Sequence, residues 1–166
     1  MSYSFNAGEV FKIAVQIEEN GRRFYEESQE NINSADVRAL FTDLAFQEIQ
    51  HKKKFEAILA QLPPESKSST VWDPEHEIDQ YIKMMADDHV FISGGDIENQ
   101  IGRIRDASDA LKLAIEFEKD TVLFFLSLEE AVAGKKDWEF IKSLLKEEQE
   151  HVRRLTLELR KMTSGK

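Results

Sequence analysis

Glu48-Ile49-Gln50-His51 returns one hundred residues later as Glu148-Gln149-Glu150-His151. A carboxylate and an imidazole three apart on a helix lie about 60° apart around its axis, so both can reach one point in space. The surroundings repeat at the same offset. Ala14-Val15-Gln16-Ile17-Glu18 followed by Phe24-Tyr25 matches Ala114-Ile115-Glu116-Phe117-Glu118 followed by Phe124-Phe125. Each half therefore offers a lone glutamate on one helical segment and a Glu-x-x-His on the next, in all four carboxylates and two imidazoles.

Working outward, the apolar positions divide the chain into long helices. Val10, Phe11, Ala14, Val15, Ile17, Phe24 and Tyr25 follow a helical period from about Asn6 to Asn31, with Gly21 the one weak point inside it. Asn31-Ile32-Asn33-Ser34 breaks the chain, Ser34 serves as an N-cap, and Asp36 suits the first turn of the next helix. That helix runs from about Ala35 to Gln61, and Pro63-Pro64 forbids its continuation. A third starts at Ala107 or Ser108 and is ended by Gly134, and a fourth starts near Asp137 and frays at Thr163-Ser164-Gly165-Lys166. Between the second and third lies a stretch of about 63–105, containing Ser66-Lys67-Ser68-Ser69-Thr70, a predicted short helix near Pro74 to Asp88, and Gly94-Gly95. Connections that are short, long and short give two antiparallel hairpins joined by a crossover, the ferritin-like variant of the all-α four-helix bundle.

Composition agrees with one helical domain over residues 1–166. Gly and Pro number seven and three while Glu, Leu, Lys, Ala and Phe are abundant. A net charge of −10 argues against a nucleic-acid surface, which concentrates Lys and Arg. The absence of cysteine excludes disulfides, thiolate zinc sites, iron–sulfur clusters and a rubredoxin-type iron centre, so any electrons must come from outside the chain. The N-terminus has no basic region followed by an apolar core, and no run of about 18 apolar residues occurs, so the expectation is a soluble, cytoplasmic protein with no membrane partner.

Glutamates inside a bundle are costly unless paired or metal-bound, and carboxylates with imidazoles suit iron, manganese or zinc. Two ions fit the set better than one. By resemblance to ferritin-like di-iron proteins, Glu48 and Glu148 would bridge both ions, leaving Glu18 with His51 on one and Glu118 with His151 on the other.

These residues, with Tyr25 seven after Glu18 and the phrase Ile17-Glu18-Glu19-Asn20-Gly21-Arg22-Arg23-Phe24-Tyr25, resemble the rubrerythrin branch of the ferritin-like superfamily over about residues 10–160. The resemblance implies an oxo- or hydroxo-bridged di-iron centre on Glu18, Glu48, His51, Glu118, Glu148 and His151, with zinc or manganese as substitutes. It implies a non-haem oxidoreductase of oxidative stress that reduces hydrogen peroxide or dioxygen, served by an external donor such as a separate rubredoxin, and a homodimer. Two departures bear on activity. The chain lacks the four-cysteine rubredoxin domain, and Thr121 stands where peroxidase-type rubrerythrins carry a further glutamate one turn after the third-helix ligand. The second departure keeps a ferroxidase, as in bacterioferritins, as an alternative. A catalytically silent, metal-stabilised bundle or partner-binding protein is a third reading.

Tyr25 is read as either a hydrogen-bond donor to a ligand carboxylate or a core aromatic like its counterpart Phe125. Glu19, Glu147, Glu150 and the run Lys52-Lys53-Lys54 are expected on solvated faces. His76 and His89, in the crossover, are expected at the surface or in packing. Phe11, Phe41, Phe46, Phe55 and Phe117 are expected in the core or a dimer interface.

Overall fold

A computed structural model describes residues 7–61, 77, 80, 81, 84, 89, 94–131 and 135–165, and no strand occurs among them. Among the described residues, five continuous helices are delimited: α1 (Ala7–Glu27), α2 (Ala35–Gln61), α3 (Gly94–Ile101), α4 (Ala107–Ala131) and α5 (Lys135–Thr163).

The local chemistry accounts for several of these ends. α1 stops at Glu27, earlier than its apolar pattern suggests, because Ser28 Oγ donates to Phe24 O at 2.6 Å and the Gln29 side chain donates to Tyr25 O at 3.0 Å. Side chains thereby take up carbonyls that the helix leaves without partners, and a single 3₁₀ turn over Ser28–Asn31 follows. Ser34 caps α2, its carbonyl accepting the Arg38 N–H at 3.0 Å while its hydroxyl lies 3.4 Å from the Val37 N–H. Asp106 caps α4 by accepting the Asp109 N–H at 2.9 Å. α3 starts at Gly94-Gly95 inside the crossover, a helix the sequence pattern did not announce, and its residues Ile97 and Ile101 are buried. Of the short helix expected near Pro74 to Asp88, only Glu77, Gln80, Tyr81 and Met84 fall among the described residues, all helical. Pro63-Pro64, His76 and Gly134 lie outside them.

α1 packs chiefly on α2 and α4 on α5, with further contacts between α1 and α4 and between α2 and α5. Phe11 meets Phe55 and Phe24 meets Phe41, so α1 and α2 are antiparallel. Phe24 also meets Phe117, while Phe55 beside Phe11 meets Phe125, so α1 and α4 are antiparallel too. α2 and α4 must then point the same way, which a short loop cannot achieve and the long 62–106 connection can.

The inward faces are mainly apolar, and the buried carboxylates of the four long helices lie at one level. Val37, Phe41, Leu44, Ala45, Glu48, His51 and Phe55 are the buried residues of α2. On one side of the charged level, Tyr25 meets Phe41 edge to face with ring centroids 5.0 Å apart. On the other, Phe55 packs against Phe125 at 5.3 Å and Phe140 at 5.5 Å. Phe11, Phe41, Phe55 and Phe117 are buried, whereas Phe46 is 60% exposed and does not belong to this core.

Candidate metal centre

Each of the four long helices turns one glutamate into the charged level: Glu18, Glu48, Glu118 and Glu148. α2 and α5 add His51 and His151. All six side chains are buried. Glu18, Glu48, His51 and Glu148 each offer a ligand atom within 4.8 Å of the others, and Glu48, Glu118, Glu148 and His151 do the same, so the two groups share Glu48 and Glu148.

The imidazoles lie face to face, with ring centroids 5.6 Å apart and planes 15° from parallel. His51 Nδ1 is 2.7 Å from Glu148 Oε1 and 3.4 Å from Glu18 Oε2. His151 Nδ1 is 3.0 Å from Glu148 Oε2 and 3.4 Å from both Glu48 Oε1 and Glu118 Oε1. The outer nitrogens are held differently: His51 Nε2 lies 3.0 Å from Glu147 Oε2, and His151 Nε2 lies 3.0 Å from Gln47 Oε1.

Charge is costly here. Burial, followed by the Glu148 charge, pushes Glu18 well above the usual carboxylate range; burial and the charges of Glu18 and Glu148 do the same to Glu48. Burial pushes Glu118 up to about 8 although His151 opposes it. Burial also disfavours the ionised Glu148, but the two imidazoles outweigh it and hold this carboxyl below its usual range. Burial alone would lower His51, yet Glu148 and Glu48 raise it to about 9. With only protons to balance it, the cluster is frustrated. Nine buried atoms, including both oxygens of Glu18, Glu48 and Glu148 and the Nδ1 of each histidine, have no hydrogen-bond partner among the described residues. Buried oxygen and imidazole atoms converging without partners are what divalent cations would satisfy.

The rubrerythrin family model matches residues 9–159, nearly the whole chain. The chain belongs to the rubrerythrin family. Its fold is also that of a Thermotoga maritima protein described as a ferritin-like diiron-carboxylate protein, with a TM-score of 0.69 over 98% of this chain and 99% of that one at 23% identity. No curated protein matches it.

Several residues of this rubrerythrin-family chain lie where sequence reasoning did not put them. The Tyr25 hydroxyl donates to Glu118 Oε1 while its ring packs in the core. Glu147 is not simply solvated: besides His51 it meets Lys54 Nζ at 3.5 Å. Glu19 likewise pairs with Arg22 at 2.6 Å and Lys52 at 2.9 Å, and the Arg22 bond outweighs partial burial to draw its carboxyl down to about 2. Glu150 remains half in solvent, paired with Arg153.

His89 is buried in packing, its ring edge to face with Phe117 at 5.5 Å. Thr121 Oγ1 donates to Phe117 O at 3.1 Å, so its lone pair is what faces His89 Nε2 at 3.2 Å, and His89 Nε2 carries the proton there. Burial drops this imidazole to about 4 and keeps it neutral. A lone histidine with no partner at helical spacing carries no periodic signal that could have revealed this.

Proposed function

We propose that this chain is a non-haem di-iron oxidoreductase that reduces hydrogen peroxide or dioxygen. One observation carries the reading: two overlapping buried groups of three carboxylates and one imidazole, sharing Glu48 and Glu148, most of whose inward atoms have no hydrogen-bond partner among the described residues. Glu18 and His51 would hold one ion, Glu118 and His151 the other, and Glu48 and Glu148 both. When bound, the iron pair supplies the two electrons that reduction of peroxide requires.

The protein's own residues supply geometry, charge and protons. The four carboxylates would offset the charge of two divalent ions, which would favour the ionised form of Glu18, Glu48 and Glu118 that burial, with mutual repulsion added, disfavours. Glu147 and Gln47 hold the outer imidazole nitrogens and so turn both Nδ1 atoms inward. Burial and the neighbouring carboxylates keep the Tyr25 hydroxyl protonated, which retains a donor on Glu118. The aromatic layers on both sides exclude water. With no cysteine in the chain, electrons would arrive from an external donor such as a separate rubredoxin.

Thr121 supports a second reading. It is buried one turn after Glu118 and engaged with Phe117 and His89, so no carboxylate stands at that point. A site lacking that carboxylate is nearer to a ferroxidase, for which Fe(II) is itself the substrate. The deciding experiment loads the protein with Fe(II) without oxygen and follows its oxidation by stopped flow with peroxide and with oxygen. Faster oxidation by peroxide supports the reductase. Faster oxidation by oxygen, with continued turnover of excess Fe(II), supports the ferroxidase. Bound iron that reacts with neither leaves a metal-stabilised bundle, and failure to retain iron sinks all three.

A further inference from the structure

The two halves repeat one pattern, but they differ in what stands behind each imidazole. Gln47 and Glu147 are themselves one hundred residues apart, and each precedes its own Glu-x-x-His and reaches the histidine of the other half. The amide of Gln47 is oriented by its neighbour: Gln47 Nε2 donates to Asp43 Oδ2 at 2.9 Å, and Asp43 is paired with Arg154 at 2.6 Å. Its oxygen therefore faces His151. Neither Gln47 Oε1 nor an ionised Glu147 can donate a proton, so with neutral rings both Nε2 atoms carry the hydrogen and both Nδ1 lone pairs point into the cluster.

The acceptors are not equal. A carboxylate draws the Nε2 proton outward more strongly than an amide oxygen does, which leaves His51 Nδ1 the better electron donor to a cation. A second difference acts on the carboxylates. Tyr25 donates its hydroxyl proton to Glu118, whereas the counterpart of Tyr25 is Phe125, which has no hydroxyl to offer Glu18. That bond withdraws charge from Glu118 alone. Both differences enrich the same side.

We infer that the two cation positions are inequivalent, the one at Glu18 and His51 being tighter and filled first, and that Glu147 and Gln47 are the positioning residues that set the difference. The inference rests on the di-metal reading above. It concerns divalent transition-metal ions in general, so cobalt(II), which is visible by absorbance and anomalous scattering, serves as the probe.

The experiment crystallises the metal-stripped full chain with one equivalent of Co(II), measures the anomalous occupancy of each position, and titrates the same protein in solution by absorbance. Most of the cobalt should lie at Glu18 and His51. Glu147→Gln should weaken the first binding step roughly tenfold, the lower end for loss of an outer hydrogen-bond partner, and shrink the occupancy difference. Gln47→Glu should tighten the second step, and the double exchange should shrink the difference further than Glu147→Gln alone. Both substitutions keep side-chain shape at partly exposed positions, so the metal-free unfolding midpoint serves as a check that a changed occupancy is not a changed fold. Equal occupancy in the natural sequence, or a preference unmoved by the exchanges, overturns the inference and leaves the di-metal reading intact. Binding of fewer than two Co(II) per chain at saturation overturns both.

Discussion

Gly21 is in the middle of α1, where replacement by alanine would ordinarily stabilise the helix by about 1 kcal/mol. Here the sign should reverse. A Cβ built on Gly21 would lie 2.7 Å from Phe117 Cζ, 2.8 Å from Phe117 Cε1 and 3.1 Å from Glu48 Oε2. Carbon atoms in contact prefer about 3.5–4.0 Å, so the ring must retreat by nearly 1 Å. Its surroundings leave little freedom, since Phe24 and Tyr25 lie on the α1 side and His89 stands against it at 5.5 Å. Overpacking of this kind costs about 1–3 kcal/mol, so after the propensity gain Gly21→Ala should destabilise the protein by about 0–2 kcal/mol. Urea unfolding of the metal-free chain measures this. A double-mutant cycle isolates the cause: in a Phe117→Leu background the ring contacts are gone and only Glu48 Oε2 stays near, so Gly21→Ala should recover most of its gain of about 1 kcal/mol. If Gly21→Ala stabilises the natural sequence by that full amount, or behaves alike in both backgrounds, the close approach of Phe117 to α1 is wrong.

Three further outcomes follow from the site. His51→Ala should loosen one ion much more than the other, while Glu48→Ala should weaken both, as read from metal content and calorimetry; equal loss of both ions from each variant would contradict the sharing of Glu48 and Glu148. In the metal-free protein, Glu118 raised to about 8 and His51 raised to about 9 mean that the folded state binds protons the unfolded chain has released. Stability should then fall as pH rises through about 8 and continue falling through about 9, while His89, dropped to about 4, works in the opposite sense only up to about 6.5 and the depressed Glu148 only in strong acid. The urea midpoint of metal-free protein should therefore be higher near pH 6 than near pH 8, and a midpoint that rises across this interval contradicts the buried cluster. Tyr25→Phe removes the hydroxyl bound to Glu118 and should cost about 1 kcal/mol in the same unfolding assay, whereas an unchanged midpoint would mean that the bond contributes nothing.

Much of the architecture is legible in the chain itself, because its signals are local. A helix written from Ala35 to Gln61 needs only an apolar period and a capping serine, and short, long and short connections suffice for the topology. The repeat at one hundred residues also places a glutamate, then Glu-x-x-His, at matching heights in both halves. What periodicity cannot say is which polar side chain of one helix meets which of another. Glu147 and Gln47 look like solvated helix residues, yet they hold histidines 96 and 104 positions away, a relation created only when α2 and α5 run antiparallel at one register. Tyr25 on Glu118 and His89 on Thr121 are likewise decided across the bundle. The sequence by itself determined the four long helices, the order of short and long connections between them and the chemical inventory of their inward faces, since these follow from 3.6-residue periodicity and its breaks. Only the tertiary structure decided how close the inventory comes and what backs each imidazole, because hydrogen bonds between helices depend on axial rotation and register to within an ångström, and the pattern of a single helix carries neither.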